Sequence, residues 1–158
     1  MWTNICSLCN SGSNVADVTE AHRIAKQLLK CFKRENKALV FGNGGSAQQA
    51  NHFAAELIHE GLPMIALTAD ISVITSIAND FSYKEIFARQ IIALGKAGDV
   101  VIGFSTSGKS ENVLYGYKWA RKLDMEVIDF PRKGTSTPRI QEYQLKLLHN
   151  IWEYIREQ

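Results

Sequence analysis

Residues 103–110, Gly-Phe-Ser-Thr-Ser-Gly-Lys-Ser, combine residue types that bind phosphate. The segment follows an apolar run and precedes a stretch of helical character, so backbone amides and a helix start would face the same ligand. Side-chain hydroxyls can donate further hydrogen bonds to a dianion. These hydroxyls belong to Ser105, Thr106, Ser107 and Ser110. The pattern therefore predicts a phosphate-binding loop.

The same segment fits the nucleotide-binding pattern G-x-x-x-x-G-K-[ST], which leaves two interpretations open. A nucleotide enzyme also needs an aspartate that holds magnesium at the end of a neighbouring apolar strand. Asp129 is the candidate, but Glu126 interrupts the apolar run before it. The Lys109 side chain could contribute a positive charge to the loop, or it could point into solvent. The context favours a phosphate other than that of ATP or GTP.

A second loop, residues 42–46, is rich in glycine and also lies between a strand-like run and a helix-like run. Its glycines and Asn43 permit positive φ and a close approach of the backbone to a ligand. Ser46 is predicted as the N-cap of the following helix, whose first N–H groups could then bind an anion. Alone, this loop is equally consistent with a tight turn that binds nothing.

His52 and Glu56 are four residues apart in that helix-like run, so their side chains share one face. An imidazole and a carboxylate beside a phosphate loop suit a metal ion or a proton relay. His149 is a third group of this kind, although its neighbours in the sequence are apolar. From spacing alone, a solvated surface pair and a partly buried structural histidine are the more ordinary interpretations.

Short apolar runs alternate with stretches of helical spacing, which predicts an α/β fold with a parallel sheet between two layers of helices, a flavodoxin-like three-layer sandwich. Strands are predicted at 38–41, 64–67, 99–104 and 125–130, and helices at 14–34, 46–59, 70–79, 81–94, 111–123 and 138–156. Residues 1–36 form an N-terminal helical segment in this prediction, and residues 37–158 form the main domain. Ligands in such sheets bind beyond the carboxyl ends of the strands, where both loops lie.

Composition excludes several classes of protein. The 158-residue chain is 46% hydrophobic and 22% charged with a net charge of +2, which is typical of an ordinary globular protein without a nucleic-acid surface. No apolar run approaches the ~20 residues of a membrane helix. With no apparent leader, we expect a cytoplasmic protein. Cys6 and Cys9 form an isolated C-x-x-C that lacks partners for zinc, and Cys31 is expected in the core.

Several separate motifs together resemble those of phosphoheptose isomerases, which are sugar-isomerase (SIS) domain proteins. From about Lys37 onward they occur in the family's order: 41–46, 52–57, 76–81, 105–110, 139–142 and His149. The resemblance implies a SIS-type fold, a homotetramer with sites between subunits, and a cytoplasmic location. It also implies isomerisation of sedoheptulose 7-phosphate to D-glycero-D-manno-heptose 7-phosphate through an enediol, for lipopolysaccharide precursors.

The resemblance also assigns roles to residues. Substrate contacts would come from Asn43, Gly44, Gly45, Ser46, Asn79, Asp80, Ser105, Thr106, Ser107, Ser110 and Gln141. Zinc would be held by His52, Glu56, Gln141 and His149, with Glu56 and His149 also acting as base and acid. Gln141 and His149 would be about 12 Å apart along a continuous helix, and glutamine is an uncommon zinc ligand. Gln141 could therefore bind the sugar instead.

Other interpretations stay open. Asn79 and Asp80 are also suited to end one helix and begin the next. A relative in the same family associates as a tetramer with the replication initiator and needs no catalysis. Two segments, 58–61 and 131–137, are shorter than in the family, and the second loss would remove a strand and a helix and expose a sheet edge. Either the protein is a shortened variant of the family, or residues that belong to these two segments are missing from the sequence.

Overall fold

The computed structural model describes residues 15–158. Helices and strands alternate along this part of the chain, as the sequence predicts. The helices are α1 Val15–Phe32, α2 Gly45–His59, α3 Ile71–Asp80, α4 Ile86–Leu94, α5 Glu111–Lys122 and α6 Thr137–Arg156. The strands are β1 Ala38–Gly42, β2 Met64–Ala66, β3 Val100–Phe104 and β4 Glu126–Asp129. None of the helices within residues 15–158 is long and apolar enough to cross a membrane.

The four described strands form one parallel sheet in the order β2-β1-β3-β4. All five residues of β1 and all five of β3 are buried, because helices cover both faces of the sheet. In the register of these two strands, Gly42 lies opposite Phe104, so the carboxyl ends of β1 and β3 are side by side. The loops that follow them must therefore be neighbours.

The helices form a layer on each face of the sheet, which confirms the predicted three-layer α/β sandwich. Alternate residues of β1 point to opposite faces, so Val40 packs with α1, α2 and α6 whereas Leu39 packs with α4 and α5. Ring contacts join the sheet to each helix layer, such as Phe41 of β1 with Phe87 of α4, at 4.8 Å between ring centroids. Each fully buried side chain of this size contributes about 1.5–3 kcal/mol to stability.

The helix predicted over 81–94 is wrong in its first turn. Phe81 ends α3, Ser82 is extended, and a single 3-10 turn, Tyr83–Glu85, precedes α4. The prediction that Asn79 and Asp80 would cap these helices is also wrong. Both lie in the last turn of α3, where the Asn79 amide donates to Asp80 Oδ1 at 2.8 Å.

The sheet ends at β4, from which residues 130–136 lead directly into α6. No strand or helix lies between β4 and α6 in this part of the chain, which is the short connection that the sequence indicates. Glu126 and Asp129 place exposed carboxylates along β4. Charged side chains on an edge strand discourage pairing with another strand.

A buried carboxylate joins the amino ends of β1 and β3. Asp99 is fully buried and accepts hydrogen bonds from Lys96 N at 2.9 Å and Lys37 N at 3.0 Å. It also accepts from Asn36 Nδ2 at 3.0 Å and Lys37 Nζ at 2.5 Å. The connection between α1 and β1 is thereby fixed to the one between α4 and β3.

Cys31 lies in the core, as predicted, with 4% of its surface exposed. Its thiol is free, and burial raises its pKa to about 11. Such a thiol is unreactive at neutral pH. Cys6 and Cys9 lie outside the described residues.

Candidate functional site

Two loops meet at the carboxyl ends of β1 and β3. The glycine loop is residues 42–46 and the serine loop is residues 105–110. A Cβ at Gly42 would lie 2.8 Å from the carbonyl oxygen of Ser46 and 2.9 Å from that of Phe104. Glycine is therefore needed at this position because the two strand ends approach each other so closely.

The glycine loop starts α2 earlier than predicted. Gly44 is the N-cap, with φ 55° and ψ −122°, and no side chain caps the helix. The prediction that Ser46 is the N-cap is wrong, because Gly44 adopts a positive φ that side-chain-bearing residues avoid and the helix then begins at Gly45. Ser46 is buried in the first turn. The N–H groups of Ser46 and Ala47 donate instead to the carbonyl oxygens of Asn43 and Gly44, both at 3.0 Å. Because no side chain covers this helix start, the positive end of the helix dipole stays open to an anion.

A reciprocal pair of amides joins the glycine loop to the start of α5. Asn43 Nδ2 donates to Asn112 Oδ1 at 2.8 Å, and Asn112 Nδ2 donates to Asn43 Oδ1 at 2.8 Å. The Tyr83 hydroxyl also donates to Asn43 Oδ1, at 2.9 Å. Sequence analysis found neither Asn112 nor Tyr83, because no local pattern marks a contact between residues this far apart in the chain.

The serine loop is ordered by its own hydroxyls. Ser105 Oγ accepts from Gly108 N at 3.1 Å and lies 3.3 Å from Ser110 Oγ. Ser107 Oγ accepts from the backbone N–H of Lys109 at 3.1 Å. Ser110 is the N-cap of α5, but its side chain makes no capping hydrogen bond. The start of α5 thus resembles that of α2 and suits an anion.

The aspartate that a nucleotide enzyme would need is already paired. Asp129 accepts two hydrogen bonds from the Arg132 guanidinium, at 2.7 and 2.8 Å. The Tyr117 hydroxyl lies 3.1 Å from Asp129 Oδ1 and 3.0 Å from the Gly103 carbonyl oxygen. Burial and the neighbouring Asp129 raise the pKa of Tyr117, so the hydroxyl stays protonated and can donate. These contacts disfavour a magnesium site at Asp129, and with it the nucleotide interpretation.

His52, Glu56 and His149 converge into what we call the acid–base cluster. The two histidine Nε2 atoms are 3.0 Å apart. Glu56 Oε1 lies 3.2 Å from His52 Nε2 and 3.4 Å from His149 Nε2. His52 and Glu56 are on α2 and His149 is on α6, so the packing of these two helices creates the cluster.

Glu56 is the least exposed member of the cluster, with 15% of its side chain accessible. Burial raises the pKa of its carboxyl, although the charges of His149 and His52 oppose the shift. Its Oε2 atom is buried and has no hydrogen-bond partner among the described residues. A buried carboxylate oxygen without a partner needs a ligand or a proton to complete it.

Helices α2 and α6 run side by side in the same direction. A Cβ at Gly45 would collide with the Gln141 side-chain amide, and the Gln49 amide donates to the Gln141 carbonyl oxygen at 2.7 Å. Farther along, the Trp152 indole N–H donates to Glu60 Oε1 at 3.1 Å. Gln141 therefore lies at the glycine-loop end of this pair. Sequence analysis did not find Gln49, whose role emerges only from the packing.

The loops and the acid–base cluster occupy different turns of α2. His52 is six residues beyond Ser46, or about 9 Å along the helix axis, and Glu56 is ten residues beyond, or about 15 Å. One ligand could contact both regions only if it is elongated, with an anionic group at one end.

Comparison with known proteins agrees with this architecture. The SIS domain family matches residues 13–130, well over half of the chain. The phosphoheptose isomerase of Thermodesulfovibrio yellowstonii is 41% identical over 156 residues, which cover 85% of this chain and 78% of that protein. That of Helicobacter pylori strain 26695 is 41% identical over 150 residues, covering 81% and 78%. The chain belongs to the phosphoheptose isomerase family.

Solved structures of phosphoheptose isomerases show the same fold. The enzyme from Neisseria gonorrhoeae superposes with a TM-score of 0.83 at 36% identity, covering 91% of this chain and 93% of that one. The enzyme from Francisella tularensis superposes with a TM-score of 0.85 at 28% identity, covering 97% and 92%. The predicted SIS-type fold is therefore confirmed.

The acid–base cluster has the chemistry and spacing of a metal site. Zinc with tetrahedral bonds of ~2.0–2.1 Å holds its ligand atoms about 3.3 Å apart, and the cluster's three separations range from 3.0 to 3.4 Å. One ligand atom from each of His52, Glu56 and His149 lies within 4.8 Å of the others. Gln141 lies against Gly45, at the start of α2 and before the turns that carry the cluster, so its place in the ligand set stays a prediction.

Asn79 and Asp80 are exposed at the end of α3. Within residues 15–158, no hydrogen bond joins either side chain to the glycine loop or the serine loop. The chain approaches the glycine loop three residues later instead, through the Tyr83 hydroxyl. Their assignment as substrate contacts also stays a prediction.

Proposed function

We propose that this protein is an aldose–ketose isomerase that converts sedoheptulose 7-phosphate to D-glycero-D-manno-heptose 7-phosphate. The proposal is supported by the placement of an uncapped helix start, which suits an anion, and of the acid–base cluster on one helix, α2, about two to three turns apart. A seven-carbon sugar phosphate is an elongated molecule with its anion and its carbonyl at opposite ends. Membership of the phosphoheptose isomerase family supports the same substrate.

The phosphate would bind where the glycine loop and the serine loop meet. Two helix starts without side-chain caps offer backbone N–H groups there, and Ser105, Thr106, Ser107 and Ser110 add hydroxyls. The Asn43–Asn112 amide pair fixes one loop against the other. Anchoring the phosphate aligns the sugar along α2 and brings its carbonyl end to Glu56.

Glu56 would be the base and His149 the acid in proton transfer. Ionised Glu56 would remove a proton from C1 of the ketose while protonated His149 gives a proton to the C2 oxygen, which forms the enediol. Glu56 would then return its proton to C2 while neutral His149 takes up the C1 hydroxyl proton, which forms the aldose and restores both residues. The products are an enediol and then the aldose, with no net change in atoms. Burial of the Glu56 carboxyl raises its pKa in the metal-free cluster, which favours proton uptake by this group.

Within the acid–base cluster, His52, Glu56 and His149 would hold Zn²⁺, with Gln141 as a further proposed ligand or a sugar contact. The bound ion would polarise the sugar oxygens and stabilise the negative charge that develops on them. The Glu56 Oε2 atom, which lacks a partner, and the convergence of the two Nε2 atoms support this choice.

The test is turnover of sedoheptulose 7-phosphate by the purified chain and by Glu56→Gln. We expect the variant to lose at least about 100-fold in kcat, the usual contribution of a general base, while Glu20→Gln, at a partly exposed position on α1 outside the acid–base cluster and both loops, retains normal kcat. Exchange of the substrate C1 proton with deuterated water, followed by NMR, should disappear in parallel. Normal turnover and exchange in Glu56→Gln would remove Glu56 from the mechanism.

The assembly and location are further proposals that rest on the family resemblance: a homotetramer in the cytoplasm. Exposed apolar side chains offer material for subunit contacts, including Ile71 at 75% exposure and Phe81 at 56%. Light scattering after gel filtration would measure the assembly, and a monomer at micromolar concentration would contradict it.

A further inference from the structure

The serine loop has a cationic neighbour that sequence analysis did not find. Arg132 follows β4 in the short connection to α6, and its guanidinium packs against Gly108. A Cβ at Gly108 would lie 2.9 Å from Arg132 Cζ, and the φ of Gly108 is +66°. Glycine at this position thus provides both the left-handed backbone and the space that the guanidinium fills.

The arginine is held in place and still has donors to spare. Asp129 accepts from Nη1 and Nη2, which uses two of the five guanidinium N–H groups. The Tyr117 hydroxyl, 3.1 Å from Asp129, fixes that carboxylate in turn. Among residues 15–158, the other three N–H groups of Arg132 have no hydrogen-bond acceptor and could meet one bound at the loop. The Arg132 side chain is 31% exposed.

We propose that Arg132 is a phosphate-binding residue, which donates to the sugar phosphate that the serine loop holds. The other donors of the loop are neutral hydroxyls and amides, while the side chain of Lys109 is exposed. An arginine that is already oriented by a carboxylate gives charge-assisted hydrogen bonds at little entropic cost. This inference rests on the proposed function, because it takes the serine loop as the phosphate site.

The first arm of the test compares wild type, Arg132→Gln and Arg132→Lys as isomerases. For Arg132→Gln we expect KM for sedoheptulose 7-phosphate, and Ki for inorganic phosphate as a competitive inhibitor, to rise by about 10-fold or more. Arg132→Lys should recover only part of this loss, because an ammonium cannot pair with Asp129 through a fork and bind phosphate as well. Values within twofold of wild type for Arg132→Gln, or full recovery with lysine, would overturn the proposal.

A matched control and a double variant separate the possible causes of weaker phosphate binding in Arg132→Gln. Arg23 forms a similar two-pronged pair with Glu20, three residues away, at 2.8 and 3.0 Å, so Arg23→Gln should leave both constants unchanged. In Arg132→Gln the Asp129 carboxylate is uncovered and could itself repel phosphate. The double variant Asp129→Asn/Arg132→Gln removes that charge, and it should still bind phosphate several-fold more weakly than wild type. Recovery of the wild-type Ki in the double variant would overturn the proposal.

A second arm does not depend on turnover. Inorganic phosphate should raise the thermal unfolding temperature of the wild-type chain in proportion to its binding, and it should do so much less for Arg132→Gln. Protection of wild type without any isomerisation would refute the proposed function but keep the phosphate site. Turnover with equal protection of wild type and Arg132→Gln would keep the function and refute the role of Arg132.

Discussion

Replacing Asp99 with asparagine should destabilise the whole domain, because this carboxylate joins the two central strands at their amino ends. Its oxygens accept four hydrogen bonds, from Asn36, Lys96 and two atoms of Lys37. Oδ1 can keep its two donors in the variant. Oδ2 becomes an NH₂ group, which cannot accept from Lys37 Nζ or Lys96 N.

The size of the effect follows from these contacts. A hydrogen bond to a charged group is worth about 1.5–3 kcal/mol, and breaking a buried ion pair costs about 3–5 kcal/mol. Lys37 keeps 22% of its side chain exposed and can regain some hydration. We therefore expect Asp99→Asn to lower the free energy of unfolding by about 3 kcal/mol, a large fraction of the ~5–15 kcal/mol of a typical domain.

The loss of stability in Asp99→Asn should depend on pH. Burial of the Asp99 carboxyl raises its pKa, but the hydrogen bonds from Lys37, Lys96 and Asn36 outweigh burial, so the pKa in the folded protein is lowered. A carboxyl whose pKa is lowered by folding contributes stability that is complete above its pKa in the unfolded chain, about 3.9. This contribution is lost as the pH falls through its pKa in the folded protein. Because asparagine does not titrate, the gap between wild type and variant should be constant near neutral pH and narrow below about pH 4.

Urea unfolding at pH 7 and at several values below pH 4 measures this gap. Asp124→Asn is the matched control, since Asp124 is exposed and its φ of 55° suits asparagine equally well. We expect the control to stay within about 0.5 kcal/mol of wild type. A loss below about 1 kcal/mol for Asp99→Asn at pH 7, or a gap that persists unchanged into acid, would refute the reasoning.

Two further predictions concern the site. Asn112→Leu removes the amide that joins α5 to Asn43, so KM for sedoheptulose 7-phosphate should rise about 10-fold with a smaller change in kcat; equal KM values in steady-state kinetics would contradict the role of the amide pair. For the metal, elemental analysis of the dialysed protein should find zinc in wild type and much less in His52→Ala. Adding a zinc chelator should lower the thermal unfolding temperature of wild type but not that of His52→Ala. Equal zinc content in the two proteins would exclude His52 as a ligand.

The fold can be predicted well from the sequence because each central strand is marked by its own short run of apolar residues. The strands β1 and β3 are wholly apolar apart from one glycine each, so their burial on both faces can be read without a structure. The errors lie where backbone conformation overrides residue preference. Ser46 is a favourable N-cap type, yet Gly44 adopts a positive φ and begins α2 first. The extended Ser82 likewise delays α4 beyond the residues whose spacing looks helical.

The site is less predictable because its contacts join distant parts of the chain. His52 and Glu56 are four residues apart and can be paired by spacing, but His149 meets them only through the packing of α6 on α2. Asn112 and Arg132 occupy positions with no local signature of function. Asn43 and Asn112 are 69 residues apart, and Arg132 reaches the serine loop only because β4 lies beside β3.

The outer margin of the sheet, which is β4 and the short connection after it, contains none of the residues proposed to transfer protons. Glu56 and His149 are on α2 and α6, whereas β4 and the short connection after it supply Arg132 and its carboxylate partner. Homologues could therefore lengthen, trim or rebuild that margin without disturbing proton transfer. Such remodelling would alter how firmly the anionic end of a substrate is gripped, and the two properties could evolve at different rates within one small scaffold.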